Sequence, residues 1–279
     1  MKQGKLIRRA VSAALAGCMM FTFSAPALAE STDALMQLSM TRRSAVSVLD
    51  MQNDISESVT TMDLRNGSII VSVENGQQYA EQKNIKQQIS DLVVTTNNDE
   101  TTNTLTIEGG TTAAKVTLHN VNIDASGAAV SVSGDVELII SGTNTLQSGW
   151  GHAGVEKADD NGTLTISGSG TLNAYGGQGG AGIGSGSQKG CSNIVIESGT
   201  ITARGGEWGA GIGSGLKGNG KDITINGGTV HAESGGGEKV AAIGGGRVNG
   251  VGKNIRITGG NVTVKSGTGV WIGGTNGEI

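Results

Sequence analysis

The chain has 279 residues, 49 of them glycine, and a formal net charge of −4. Glycine far exceeds its usual share of roughly 7%, yet no Gly-X-Y period is present, which excludes collagen. The acidic balance argues against nucleic acid as a partner, because phosphate contacts need a basic face.

Residues 1–29 read as an export signal. Lys2, Lys5, Arg8 and Arg9 form a basic start, Ala10 to Phe23 an apolar stretch, and Ala27-Leu28-Ala29 a small-x-small cleavage site before Glu30. Leu15-Ala16-Gly17-Cys18 resembles a bacterial lipobox, in which Cys18 would be lipidated. The apolar run continues past Cys18 to the second site, so cleavage after Ala29 is the expectation. Its removal takes 4 of the 20 Lys and Arg and no acid, leaving 16 bases against 24 acids, a net charge of −8. Cys191 is then the lone cysteine and no intrachain disulfide can form; it is expected as a small apolar residue at a turn. No later stretch is apolar enough to span a membrane as a helix, and the expected location is extracellular or at the cell surface.

Residues 30–61 carry a weak helical spacing of apolar residues (Leu35, Leu38, Val46, Leu49) and read as a linker or short helix. From Met62 the pattern changes to alternation in short runs between Asn, Gly, Asp and Ser clusters, the signature of strands. Residues 62–115 are expected to form an irregular amino-terminal cap over an exposed sheet end. Residues 116–279 are expected to form a right-handed parallel β-helix with coils of about 20–32 residues. Ile166, Ile196, Ile225 and Ile257 recur at steps of 30, 29 and 32 residues, and Ile183, Ile212, Ile243 and Ile272 at steps of 29, 31 and 29. In the shorter early coils Leu138 is placed 20 residues after Leu118, and Leu164 26 after Leu138. Each full unit resolves into three strands. In the unit Asn193 to Gly220 the inward residues are Ile194, Ile196, Ile201, Ala203, Ala210 and Ile212. Gly176-Gly177, Gly205-Gly206 and Gly235-Gly236 are expected to allow positive φ at bends. Gly182, Gly184, Gly211 and Gly213 are expected to leave the outer face of the third strand bare and open to a flat partner.

The blocks GTLTISGSGTLNAYGGQGGAGIGSG, GTITARGGEWGAGIGSG and GGTVHAESGGGEKVAAIGGG resemble the Gly-Ala-Gly-Ile-Gly repeats of secreted bacterial β-helix proteins, the carbohydrate-binding-domain or adhesin-like family. KVTLHNVNIDASGAAVSVSGDVELIISGTNTLQSG resembles the entry module of the same proteins. The resemblance runs from Met62 to the end and implies an exported bacterial protein that binds polysaccharide or glycan. A structural or adhesin stalk that touches protein, or associates with itself along the glycine face, is the alternative.

Alternation places a polar ladder on the second strand: Thr171, Thr200, Thr229 and Asn261, then Asn173, Thr202, His231 and Thr263, then Tyr175, Arg204, Glu233 and Lys265. Such a surface could hydrogen-bond an extended glycan, and equally Thr is simply favoured on exposed strands. Asn173, His231 and Asn261 break the Thr-x-Thr regularity that ice binding would need. Trp150 and Trp208 fall in the turn before the third strand and, with Tyr175, could stack on sugar rings or cover a loop. Trp150, Trp208, Tyr175, Thr200, Thr202, Asn173, Arg204 and His231 are therefore the candidate ligand-binding residues. A polysaccharide lyase or hydrolase is a third reading. Its acids, however, occupy different positions of the unit, and Asp159-Asp160 sits in a turn-like Asp-Asp-Asn-Gly stretch. No cofactor is implied: the calcium nonapeptide and the phosphate-loop Gly-Lys-Ser/Thr are both missing from the sequence.

Overall fold

The computed structural model describes residues 59–157, 160–267 and 269–274; residues 1–29, read above as an export signal, residues 30–58 and Asp159 lie outside these. The described chain winds as a parallel β-solenoid whose coils feed three sheets of eight, seven and ten strands. First strands run from Thr60–Asp63 through Leu164–Gly168, Ile194–Ile196 and Gly220–Ile225 to Gly252–Ile257. Second strands include Thr143–Gln147, Thr171–Tyr175, Thr200–Arg204, Thr229–Glu233 and Asn261–Lys265. Third strands shrink along the chain, from Val130–Ser133 and Val155–Lys157 to two-residue pairs such as Ile183–Gly184 and Ile212–Gly213.

Alternation dictates the core. Ile194 and Ile196 are buried around a half-exposed Val195, and Ile201 and Ala203 are buried between the outward Thr200 and Thr202. Parallel pairing then stacks like on like: Ile166, Ile196, Ile225 and Ile257 are register partners, as are Ile183, Ile212, Ile243 and Ile272. Each fully buried Ile contributes roughly 1.5–3 kcal/mol, and the columns repeat that gain until the last coil, where Ile257 is exposed and Ile272 half-buried. The inward columns also take polar residues. Asn144 takes the column of Leu172 and Ile201, and its amide is satisfied by Val121 N–H (3.0 Å) and by the carbonyls of Ser141 (3.0 Å) and Thr171 (3.2 Å).

The structure departs from the sequence expectations in three places. First, residues 62–115 are not an irregular cap: Thr60–Asp63 pairs with Leu92–Thr95, which pairs with Ala114–His119, so the first sheet begins at Thr60. The irregular part is an antiparallel hairpin, Gln77–Gln82 with Ile85–Gln88, added beside Ile69–Glu74. Its turns are Asn75-Gly76 (φ 52° and 77°) and Lys83-Asn84 (φ 54° and 61°), the two-residue type that matches strand twist. Second, Leu138 pairs with Val116 rather than Leu118, and Leu164 with Val136 rather than Leu138. A slip of two residues leaves every apolar side chain on the same face, so the hydrophobic pattern cannot detect it.

Third, the glycines have different duties. Gly182, Gly184, Gly211 and Gly213 are buried, not a bare outer face. Gly184, Gly213 and Gly244 stack at φ 138°, 136° and 130°, a backbone closed to L side chains. A Cβ on Gly182 would lie 2.5 Å from the Arg204 nitrogen of the next coil. The corner glycines after the second strand, Gly176, Gly177, Gly205, Gly206 and Gly235, have no positive φ. Their constraint is steric: a Cβ on Gly177 would overlap the Gly149 carbonyl, one on Gly206 the Gly177 carbonyl, and one on Gly235 the Gly206 carbonyl. Only backbone fits between rungs about 4.8 Å apart.

Neighbouring glycines therefore differ in tolerance. Gly235→Ala is expected to cost more than about 3 kcal/mol, because the obstacle is backbone and cannot move aside. Gly236→Ala, whose Cβ would meet nothing within 4 Å, is expected to change stability by less than about 0.5 kcal/mol. Urea unfolding of the two variants against the parent is the measurement.

Candidate functional site

The corner between second and third sheets repeats as a four-residue rung. Successive rungs are Gln147-Ser148-Gly149-Trp150, Tyr175-Gly176-Gly177-Gln178, Arg204-Gly205-Gly206-Glu207 and Glu233-Ser234-Gly235-Gly236. The alignment is fixed by backbone hydrogen bonds from Gly176 N–H to the Arg204 carbonyl (2.9 Å), Gly205 N–H to Glu233 (2.9 Å) and Gly151 N–H to Gln178 (2.8 Å). Glycines, with the buried Ser148 and Ser234 in the outer two rungs, leave the middle of the corner without outward side chains, and a groove of about 300 Å³ results. Gln147, Tyr175 and Arg204 line one bank, Glu207 and Gly236 the other, and Gly176, Gly205, Gly206 and Gly235 the floor. That volume is at the lower end for small-ligand sites.

The far bank begins at Trp150, which is 71% exposed. Its Nε1–H donates to Gln178 Oε1 (2.9 Å), and Gln178 Nε2–H donates to Glu207 Oε2 (2.8 Å), so one chain of hydrogen bonds links three rungs. The turn that carries Trp150 is tied down from beneath. Glu156, buried in the strand Val155–Lys157, accepts from Ala153 N–H (3.0 Å), lies 2.9 Å from His152 Nδ1 and pairs with Lys189 at 3.5 Å. Lys157 beside it is fully buried, and its ammonium donates to the Asn161 carbonyl (2.9 Å).

The near bank is a charge ladder. Tyr175, Arg204, Glu233 and Lys265 are register partners, as alternation had indicated. Glu233 sits between two cations, Lys265 at 2.7 Å and Arg204 at 3.8 Å, with His231 Nε2 at 3.9 Å. The Lys265 hydrogen bond, helped by the positive charge of Arg204 and His231, holds the Glu233 carboxyl below the usual carboxylate range despite partial burial.

The eight sequence candidates thus separate. Tyr175 and Arg204 line the groove and Trp150 stands on its far bank. Thr200, Thr202, Asn173 and His231 lie farther back on the outer face of the second sheet, in the expected columns. Trp208 is not a second open platform. It sits one position after Glu207, in the column of Gly179 and Gly237, and at φ 75°. Its ring packs toward Gly237, and the Arg247 guanidinium lies 5.6 Å from the ring centre, a cation–π contact that occupies one face. Trp150 and Trp208 both precede a third strand, but across turns of unequal length, so they occupy adjacent columns and not the same one.

Gln147, Gln178, Glu207 and the glycine floor were missed. Their signal was in plain sight, since Tyr-Gly-Gly-Gln and Arg-Gly-Gly-Glu follow successive second strands. Asp160 accepts from the Ser192 hydroxyl (2.7 Å) and pairs with Lys221 (3.2 Å), a clamp between coils. Cys191 is buried with its thiol donating to the Gly213 carbonyl (2.8 Å), and burial pushes its pKa up to about 12, which removes it as a nucleophile. Among the described residues, no group of three or more His, Cys, Asp and Glu side chains could hold a metal ion, and no helix is long and apolar enough to cross a membrane.

The Glu233 pairing sets a pH dependence with a definite sign. A depressed folded pKa stabilises the fold above the unfolded value, about 4.3 for Glu, and that stabilisation disappears as pH falls through the folded pKa. Glu233→Gln is expected to lower stability by up to about 1 kcal/mol at pH 7, and the difference from the parent is expected to vanish as the pH falls through the depressed pKa of Glu233. Paired thermal melts across that range are the check.

Residues 164–187, 194–216 and 223–247 match the family model described as a beta helix repeat. No curated protein matches the chain, and no solved structure does. The first two matched segments start at Leu164 and Ile194 and the third at Ile223, all inward positions of a first strand, and each continues past the third-strand glycines, one segment per coil. Three sheets of stacked parallel strands make the fold a parallel β-helix, and three of its coils match the beta helix repeat.

Proposed function

We propose that this is an exported, non-catalytic protein that binds an extended glycan along the glycine-floored groove. The observation that carries the reading is the groove's shape and lining together. It is a trough parallel to the coil axis, open along its length, with a floor of bare backbone and polar banks, and the exposed Trp150 indole stands beyond it in the column of Glu207, to which Gln178 joins it. A sugar chain offers hydroxyls on its edges and apolar patches on its ring faces. Amide, phenol and guanidinium groups suit the edges, and the Trp150 face suits a ring. The polar ladder of Asn173, Thr200, Thr202 and His231 extends the hydrogen-bonding surface beyond the near bank.

Binding fits the electrostatics better than catalysis. Glycoside cleavage needs a carboxylic acid whose pKa is raised, so that it can protonate the leaving oxygen. Glu233 is held ionised by Lys265, Arg204 and His231, which suits a fixed hydrogen-bond acceptor. Export rests on the sequence of residues 1–29, with cleavage after Ala29. For the stalk alternative, the third-strand glycines on which self-association depended are buried, which leaves it contact with other proteins.

Pull-down of the folded chain on insoluble plant, cell-wall and mucin glycans tests the reading. Retention on at least one is expected, with Trp150→Ala and Arg204→Ala each weakening it about tenfold, as loss of a stacked ring or a charged hydrogen bond would. Retention on none, or retention indifferent to both variants, would refute it.

A further inference from the structure

We propose that Gln178 and Glu207 are positioning residues that hold the Trp150 indole as a fixed platform, and that the charge of Glu207 sets the direction of this relay. The purpose given to the relay rests on the glycan-binding reading; the relay itself does not.

The argument is one of donors and acceptors. The indole Nε1–H can only donate, and an ionised carboxylate can only accept. A glutamine amide placed between the two has a single orientation that satisfies both. Its NH₂ must face the carboxylate and its C=O the indole. That is the orientation found: Gln178 Nε2 lies 2.8 Å from Glu207 Oε2, and Gln178 Oε1 lies 2.9 Å from Trp150 Nε1. Were the residue at 207 a donor, the amide would turn over and present NH₂ to the indole N–H, and the Trp150 bond would be lost. Parallel stacking makes the coupling possible. Trp150, Gln178 and Glu207 hold the same rung position in three successive coils, so neighbours stand about 4.8 Å apart.

The relay has a use because Trp150 is 71% exposed and would otherwise rotate freely about its side-chain bonds. Binding a sugar on a mobile ring costs the entropy of fixing it, whereas a ring already oriented binds more tightly through the same contacts. Gln178 and Glu207 therefore act through Trp150. Glu207 also lines the groove, so its effect on the ring has to be read separately from its effect on affinity.

The test is ¹⁹F NMR of the full chain carrying 5-fluorotryptophan at its three tryptophans, with the Trp150 signal assigned by its loss in Trp150→Phe. Gln178→Ala and Glu207→Lys are both expected to shift and narrow that signal as the ring is released. Glu207→Gln, which still offers an amide oxygen, should leave it in place. An unchanged Trp150 signal in Gln178→Ala or in Glu207→Lys overturns the relay, as does a Glu207→Gln shift equal to that of Glu207→Lys. In a parallel arm, Gln178→Ala should weaken binding to the glycan the parent retains about three- to tenfold. Released signal with unaltered affinity would overturn the positioning role. Failure of the parent to retain any glycan would refute the proposed function, and the ¹⁹F signal alone would then decide the relay.

Discussion

Everything in this solenoid depends on how closely one rung can lie on the next at the corner after the second strand. The strands themselves stack at the ordinary sheet spacing, but at the corner the backbone turns and its carbonyls point at the neighbouring rung. A Cβ on Gly177, Gly206 or Gly235 would occupy the space of a carbonyl oxygen in the coil before. The glycines there are chosen for clearance, since their φ values are ordinary. Once side chains are excluded from those positions, a trough with a backbone floor follows as a geometric consequence. What the corner requires for folding and what the groove offers a ligand are one feature.

The positions flanking the floor are free of that constraint, and there the sequence varies from coil to coil. Gln147, Tyr175, Arg204, Glu233 and Lys265 succeed one another in the column of the near bank; Trp150, Gln178, Glu207 and Gly236 do so in that of the far one. Unlike neighbours pair. Arg204 and Lys265 flank Glu233, and Gln178 joins Trp150 to Glu207. A ladder of identical charges would repel itself at this spacing, so chemical variety along the columns is compatible with the stacking as well as useful for recognition. Trp208 shows the limit of that freedom. It stands in a left-handed column shared with Gly151, Gly179 and Gly237, and its ring is spent on Gly237 and Arg247.

The sequence made the core legible because the same inward isoleucines return at near-constant steps, and both predicted columns are register partners. It was less informative where the pattern carries no phase. The Leu118 and Leu138 pairing slipped by two residues, since a period of two is blind to that shift. The amino-terminal coils looked irregular because the inserted hairpin Gln77–Gln82 and Ile85–Gln88 interrupts their spacing. Gly182 and Gly211 were assigned outward by alternation, yet they are enclosed because the corner folds back against them. Of the site, Tyr175 and Arg204 followed from strand alternation. Gln178 and Glu207 did not, because hydrogen bonds between coils become visible only when the rungs are aligned at the turn.

The central claim is that a ligand occupies the bare trough. Gly236 lines that trough, and a Cβ there would meet no atom within 4 Å, so a bulky residue can start from open space at the groove without disturbing the stack. The decisive measurement is retention of Gly236→Leu on the glycan that retains the parent, with melting temperatures compared alongside. The account predicts an unchanged melting temperature and lost retention. Retention equal to the parent's, from an equally stable variant, would contradict it.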